Sequence, residues 1–225
     1  MNINSKNSKM KNRDRFILSK GHAGVGIYAI LQKKNFFKKD LLKTYGQNGS
    51  LLSGHVSHKN INGVEFSTGS LGHGLPVACG YAVAMKFDKN NKSRVFCLLS
   101  DGELNEGSNW EALLFANHNK LNNLVAILDR NKLQSIKSTE KTLKLEPLKK
   151  KISAFGWIVK VCDGHDHIKM RSILRKKYSK PLFLIANTVK GKGVSFMENN
   201  NLWHYKNPNQ KQLQVALKEI KLKYA

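Results

Sequence analysis

Two loops carry the side chains best suited to chemistry. Ser100-Asp101-Gly102-Glu103-Leu104-Asn105-Glu106-Gly107 follows the apolar run Val95-Phe96-Cys97-Leu98-Leu99. Asp129-Arg130-Asn131-Lys132-Leu133-Gln134 follows a second run, Leu124-Val125-Ala126-Ile127-Leu128. Short, continuous apolar runs are expected for strands buried on both faces of a parallel sheet. Ligands of such sheets bind beyond the carboxyl ends of the strands. Asp101 and Asn131 therefore stand where oxygen donors can work, and neighbouring strands would hold them side by side. A carboxylate, a carboxamide and a nearby main-chain carbonyl form an all-oxygen set suited to a hard divalent ion such as magnesium. Gly102 lets the backbone approach a diphosphate closely, and a helix beginning near Ser108 adds a favourable dipole. Taken singly, Asp101 reads more readily as a helix cap and Asn131 as a turn residue than either does as a ligand. Their joint placement after two buried strands favours the metal.

The elements that must position these loops can be read around them. A third apolar run, Leu182-Phe183-Leu184-Ile185-Ala186, reads as a buried strand, and Trp157 to Val161 as a further one. Helices are expected over Gly21 to Lys33, Gly74 to Phe87, Ser108 to Asn119, Asp166 to Tyr178 and Gln210 to Lys221, with a short one after Asp40. Strands alternating with helices predict a parallel α/β sheet covered on both sides. Between Ser50 and Gly74 lies a long segment dense in Gly, His, Ser and Asn, and a polar loop of that length is usually functional. Residues 1–13 read as a flexible lead, and 14–225 as one domain.

Composition limits the function classes. The chain has 225 residues and a formal net charge of +24, from 39 Lys and Arg against 15 Asp and Glu. The lysines are spread along the whole chain, without aromatic-basic interleaving, which argues against nucleic acid as the main partner. A basic surface that favours anionic ligands or an acidic partner fits better. No run approaches the ~20 apolar residues of a membrane span. Cys79, Cys97 and Cys162 are far apart, as expected of a cytoplasmic protein without disulfides. His58, His118, His165 and His167 read as surface or structural residues, and the His165-Asp166-His167 cluster lacks further ligands at metal-site spacing. Lys190-Gly191-Lys192-Gly193 lacks the spacing of a P-loop and reads as a basic turn as readily as a phosphate contact.

Asp101-Gly102 with a distant Asn131 resembles the thiamine-diphosphate motif, Gly-Asp-Gly and a later Asn, with Ser100 in place of the first Gly. Asp14-Arg15-Phe16-Ile17-Leu18-Ser19-Lys20-Gly21-His22-Ala23 resembles the transketolase segment that brings a histidine to the cofactor. Gly54-His55 and then Gly63-Val64-Glu65-Phe66-Ser67-Thr68-Gly69-Ser70-Leu71-Gly72-His73-Gly74 resemble the segment with a second histidine. Asp163-Gly164-His165-Asp166 and Thr188-Val189-Lys190-Gly191-Lys192-Gly193 continue in the family's order. The resemblance to transketolase covers nearly everything from Asp14 onward.

That resemblance implies a three-layer αβα fold with a mainly parallel central sheet, and thiamine diphosphate with Mg2+ as cofactors. Asp101 and Asn131 would ligate the ion through their side chains, and Leu133 through its carbonyl oxygen. Gly102 would contact the diphosphate, while Gly69 and Leu71 would line the aminopyrimidine and thiazolium. His22 would lie near cofactor and substrate, and His55 would bind donor hydroxyls or assist proton transfer. His204, in Leu202-Trp203-His204-Tyr205, matches a histidine near the end of this domain. Glu106 matches a glutamate that communicates across the subunit interface, and His73 stands where the family often has Gln. The implied reaction is transfer of a two-carbon ketol unit between sugar phosphates.

A transketolase site also needs a pyrimidine-binding domain. The expected partner is a separate, C-terminal-type subunit that supplies it, in a two-fold-symmetric heterotetramer. Family members usually begin with a Ser-Gly-His-Pro-Gly-like segment, where this chain has a Lys- and Asn-rich lead before Asp14. The competing reading is a scaffold subunit that keeps the fold without turnover. Other thiamine-diphosphate enzymes, of the deoxyxylulose-phosphate synthase or 2-oxo-acid dehydrogenase type, share the metal motif; the segments around His22, His55 and Gly69 favour transketolase.

Overall fold

The three apolar runs form the middle of the sheet. They are β2 (Val95–Ser100), β3 (Leu124–Arg130) and β5 (Leu182–Asn187), joined at the edges by β1 (Arg15–Leu18) and β4 (Ile158–Asp163). The order is β1-β2-β3-β5-β4, and every pairing is parallel. The computed structural model describes residues 1–59, 61–88 and 92–224. Asn60, inside the segment expected as a polar loop, and Ala225, the end of the expected domain, lie outside the described residues, as do Lys89, Asn90 and Asn91.

Alternation along β2 separates two cores. Val95, Cys97 and Leu99 face one side, with Ala126, Leu128, Phe183 and Ile185. Against them pack α2 (Gly74–Phe87), α3 (Gly107–His118) and α5 (Leu148–Ala154) through residues such as Leu75, Leu113 and Ile152. Phe96, Val125, Ile127, Leu182 and Leu184 face the other side, covered by α6 (His167–Arg175) through Ile173. On that same face, α1 (Gly24–Lys33) brings Tyr28 and Leu31 onto Leu18, beside Phe16 and Leu98. Successive strand residues point to opposite faces, so helices on both sides give the three layers expected. All three cysteines are buried and free.

Some elements differ from expectation. The four-residue β1 has no apolar run long enough to announce it, and was read only for the histidine that follows it. The helix expected from Gly21 begins as a 3₁₀ turn, Gly21–Ala23, before α1. Gly21 is pressed against the loop: a Cβ there would stand 2.6 Å from the Thr68 carbonyl oxygen. Two short helices, α4 (Thr139–Thr142) and α5, lie in a Lys-rich stretch without clear periodicity. α7 (Gln210–Tyr224) closes the described chain. The lead over residues 1–13, expected to be flexible, is tied down at both ends. Asn2 N donates to Asp14 Oδ2 at 2.7 Å, and the Arg13 guanidinium forks onto the Glu65 carboxylate.

α2 starts so close to the end of β1 that only glycine fits at its first position. A Cβ on Gly74 would lie 2.6 Å from Ser19 Cα, whereas one on Gly80, in the same helix, would meet nothing within 4 Å. Gly74→Ala is expected to cost about 1–3 kcal/mol through overpacking. Gly80→Ala should be neutral or stabilising by up to about 1 kcal/mol. Urea unfolding of the two variants checks the contrast; equal midpoints would contradict the close approach.

Candidate active site

The carboxyl ends of β1, β2 and β3 lie side by side, because Leu18 pairs with Leu98 and Ser100 with Asp129. Each strand hands over to a loop at that edge, and the loops surround a cavity of about 650 Å³. His22, His55, Gly69, Leu71, Gly102, Asn131, Leu133 and His204 all line it. Eight of the ten expected residues, drawn from five separate segments, thus share one space.

The other two, Asp101 and Glu106, stand back from the cavity wall. Asp101 is fully buried behind Gly102 and Asn131. Its Oδ1 accepts from Gly102 N at 2.8 Å; its Oδ2 accepts from Lys132 N at 2.5 Å and Arg130 Nη1 at 3.1 Å. Burial raises its pKa, partly offset by those donors. It caps the 3₁₀ turn Gly102–Asn105, as its reading as a helix cap expects. Asn131 likewise forms a turn, its Oδ1 accepting from Leu133 N at 2.9 Å. Glu106 is exposed at the start of α3, with its side chain against Gly72. His73 is exposed too, and contacts the Leu71 carbonyl through Nδ1 at 2.9 Å.

Several cavity residues had not been assigned a role from sequence. Lys20, in the same motif as His22, is buried and pairs with Asp129 at 2.5 Å; Asp129 also accepts from Thr188 Oγ1. Burial alone would raise Asp129, but the Lys20 ammonium and these bonds outweigh it and hold the carboxyl below its usual range. Lys190, from the basic turn, lines the cavity with its Nζ 3.5 Å from His204 Nδ1. Glu103 is fully buried, and its carboxylate accepts from Ser19 Oγ, from Gly72 N at 2.9 Å and from Ser100 N at 3.2 Å. The adjacency of Lys20 to His22 is the available signal for Lys20; nothing in the sequence marks Glu103, two of whose three partners come from distant segments.

The histidines sit in a positive field. The rings of His22 and His204 are 5.5 Å apart between centroids. His22 is open on its cavity side, yet partial desolvation, then Lys20, His204, Lys190 and His55, lower its pKa to about 4. His204 is lowered by desolvation and by Lys190 and Lys20. Lys190 is lowered as well, by burial and by Lys20. Lys20 is paired with Asp129, which among the described residues leaves Lys190 as the cation facing the cavity, a charge that an anionic ligand relieves.

The residues present fit magnesium and a diphosphate. Asp101, Asn131 and the Leu133 carbonyl supply only oxygen, the donor type magnesium takes. Gly102 forms a cradle, since a Cβ there would lie 2.9 Å from the Gln134 side chain. Gln134 Nε2 is buried beside it without a hydrogen-bond partner.

A parallel α/β sheet with loops of this kind at its carboxyl edge defines a cofactor-binding domain for an anionic ligand. The chain matches the family described as "Transketolase, thiamine diphosphate binding domain" over residues 1–221. It is 46% identical over 215 residues to one of the subunits of the apulose-4-phosphate transketolase of Actinobacillus succinogenes, covering 93% of this chain and 76% of that protein. It is 36% identical to 6-deoxy-6-sulfo-D-fructose transketolase subunit SqwG of a Clostridium species, covering 98% and 81%. The crystal structure of transketolase from Campylobacter jejuni superposes with a TM-score of 0.86 at 28% identity, covering 99% of this chain and 40% of that one. The chain thus spans well under half of that full-length enzyme. It belongs to the transketolase family, as its thiamine diphosphate-binding domain, and so to the enzymes that transfer ketol units.

His22 provides a pH test. Its folded pKa of about 4 lies below the ordinary 6.5, so above pH 6.5 it is neutral in both states and contributes nothing. Between 6.5 and 4 the unfolded chain takes up a proton that the folded chain refuses, and stability falls as pH drops through that window. An NMR titration of the His22 ring should show a midpoint near 4, and His22→Asn should flatten the stability profile over the same range. A midpoint near 6.5 would contradict the crowding of cations around this ring.

Proposed function

We propose that this chain binds thiamine diphosphate with a divalent cation, magnesium in the first instance. Joined to a separate pyrimidine-binding subunit, it transfers a two-carbon ketol unit between sugar phosphates. The observation that carries the reading is the convergence of His22, His55, Gly69, Leu71, Gly102, Asn131, Leu133 and His204 on one cavity, with Asp101 behind it. When bound, the cofactor supplies the electron sink for breaking and making a carbon–carbon bond.

Everything else falls to the chain's own groups. Asp101, Asn131 and the Leu133 carbonyl hold the cation, and Gly102 leaves room for the diphosphate. Gly69 and Leu71 wall the cavity against the cofactor rings. His22 is neutral at physiological pH, so its ring can donate one hydrogen bond and accept another. His55 and His204 stand beside the same space and serve as hydrogen-bonding or proton-handling groups for sugar hydroxyls. Lys190 favours substrates that carry an anionic group. The names of two relatives refer to a sugar phosphate and a sulfo-sugar, in keeping with that preference.

The partner assignment draws support from the relatives whose names describe them as single subunits of a transketolase. Glu106, exposed at the start of α3, is available to meet the partner, and the expected assembly is a two-fold heterotetramer. Three free cysteines fit a reducing cytoplasm, and no described helix is long and apolar enough to cross a membrane.

Calorimetric titration of thiamine diphosphate and magnesium, into the chain alone and with its pyrimidine-binding subunit, tests the reading. Binding should appear or tighten in the mixture; no binding in either case overturns the proposal. Asp101→Ala should lower magnesium-dependent affinity by at least 100-fold, while His55→Ala should lower turnover far more than cofactor affinity. An Asp101→Ala chain with unchanged affinity would remove Asp101 from the metal site.

A further inference from the structure

We infer that Arg130 is the positioning residue of the metal site, one guanidinium that fixes both ligand-bearing loops. The inference rests on the magnesium reading above and adds a residue that touches neither the ion nor the cavity. Arg130 closes β3, immediately before Asn131, and is only 2% exposed. Its Nη1 donates to Asp101 Oδ2 at 3.1 Å and to Thr139 Oγ1 at 2.7 Å. Its Nη2 donates to Glu140 Oε1 and to Glu146 Oε1, each at 3.1 Å.

These bonds reach two separate structures. The first is the carboxylate after β2, which offers the ion its only charged ligand. The second is the base of the 131–138 loop, which carries Asn131 and the Leu133 carbonyl. That loop returns to its start where Thr139 N donates to the Lys132 carbonyl at 3.0 Å, and Leu133 bridges to Ser138. Arg130 clamps Thr139 and Glu140 at the point of return. A single planar fork therefore sets the distance between the Asp101 carboxylate and the loop that must face it.

A cation so close to a divalent-ion site would ordinarily oppose binding. Glu140 and Glu146 answer this objection. Both accept from Nη2, the nitrogen that does not serve Asp101, and share the guanidinium charge, so positioning outweighs repulsion.

The test titrates magnesium chloride into the chain mixed with its pyrimidine-binding subunit at saturating thiamine diphosphate, reading half-saturation and stoichiometry by calorimetry, with metal-free melting temperature beside them. Arg130→Met should raise the half-saturating magnesium concentration at least ten-fold in the folded fraction. Arg130→Lys keeps the charge without the fork and should recover only part of the loss. A purely structural role would instead lower stoichiometry or melting temperature and leave half-saturation where it is. The double variant Glu140→Gln, Glu146→Gln, at partly exposed positions that leave the core intact, covers the case where Arg130→Met fails to fold. It should weaken magnesium about three-fold or more. Unchanged half-saturation in these variants, or tighter binding once the cation is removed, overturns the inference while leaving the function intact. Failure of the wild-type chain, mixed with its pyrimidine-binding subunit, to bind thiamine diphosphate with magnesium overturns the cofactor reading and this inference with it.

Discussion

The site depends on one buried carboxylate, that of Glu103. Ser19 belongs to the segment of His22, Gly72 to that of Gly69 and Leu71, and Ser100 to that of Asp101 and Gly102. Glu103 receives a donor from each. Hydrogen bonds to a charged group contribute about 1.5–3 kcal/mol apiece, and a buried carboxylate left short of donors is strongly penalised. Burial does raise the Glu103 pKa, and the three donors work against that rise. The three segments are therefore held at one separation, because moving any of them exposes the same cost. Their glycines complete the arrangement: Gly72, at φ +82°, has Glu106 and Ser108 against it, and Gly74 has Ser19.

Around that fixed frame the charges are arranged in two tiers. Lys20 and Arg130 are each compensated, by Asp129 in one case and by three carboxylates in the other. Lys190 faces the cavity, with its Nζ against a His204 ring nitrogen. The first tier holds loops in place; the second leaves positive potential directed into the cavity. Neutral histidines follow, since partial desolvation and then the nearby positive charge both oppose protonation of His22 and His204.

Much of this was legible in the sequence because it depends on local pattern. The apolar runs of β2, β3 and β5 mark strands buried on both faces, and the loops after them fall where a parallel sheet places ligands. His22, His55 and Gly69 lie in segments whose order is specific. Illegible features are those made by contacts between distant segments. Glu103 looks like any residue of an acidic loop until Ser19, 84 positions away, reaches it. Arg130 reads as a chance cation in a Lys-rich chain, since its importance lies in four partners supplied by later or remote positions. β1 escaped notice because four residues carry too little periodicity. Arg13 anchors the lead through Glu65, a pairing that neither residue's surroundings announce.

The buried cysteines have a practical consequence. Burial pushes the Cys79 thiol up to about 12 and Cys97 well above its ordinary value, and it raises Cys162 as well. Maleimides and alkyl halides react with accessible thiolate, which burial makes scarcer at all three positions. Toward such reagents the native thiols of the folded chain react slowly. A single cysteine introduced on an exposed face of α7 or α3 would then carry a fluorophore or spin label alone, and the approach of a second polypeptide could be followed by energy transfer without first removing the native thiols.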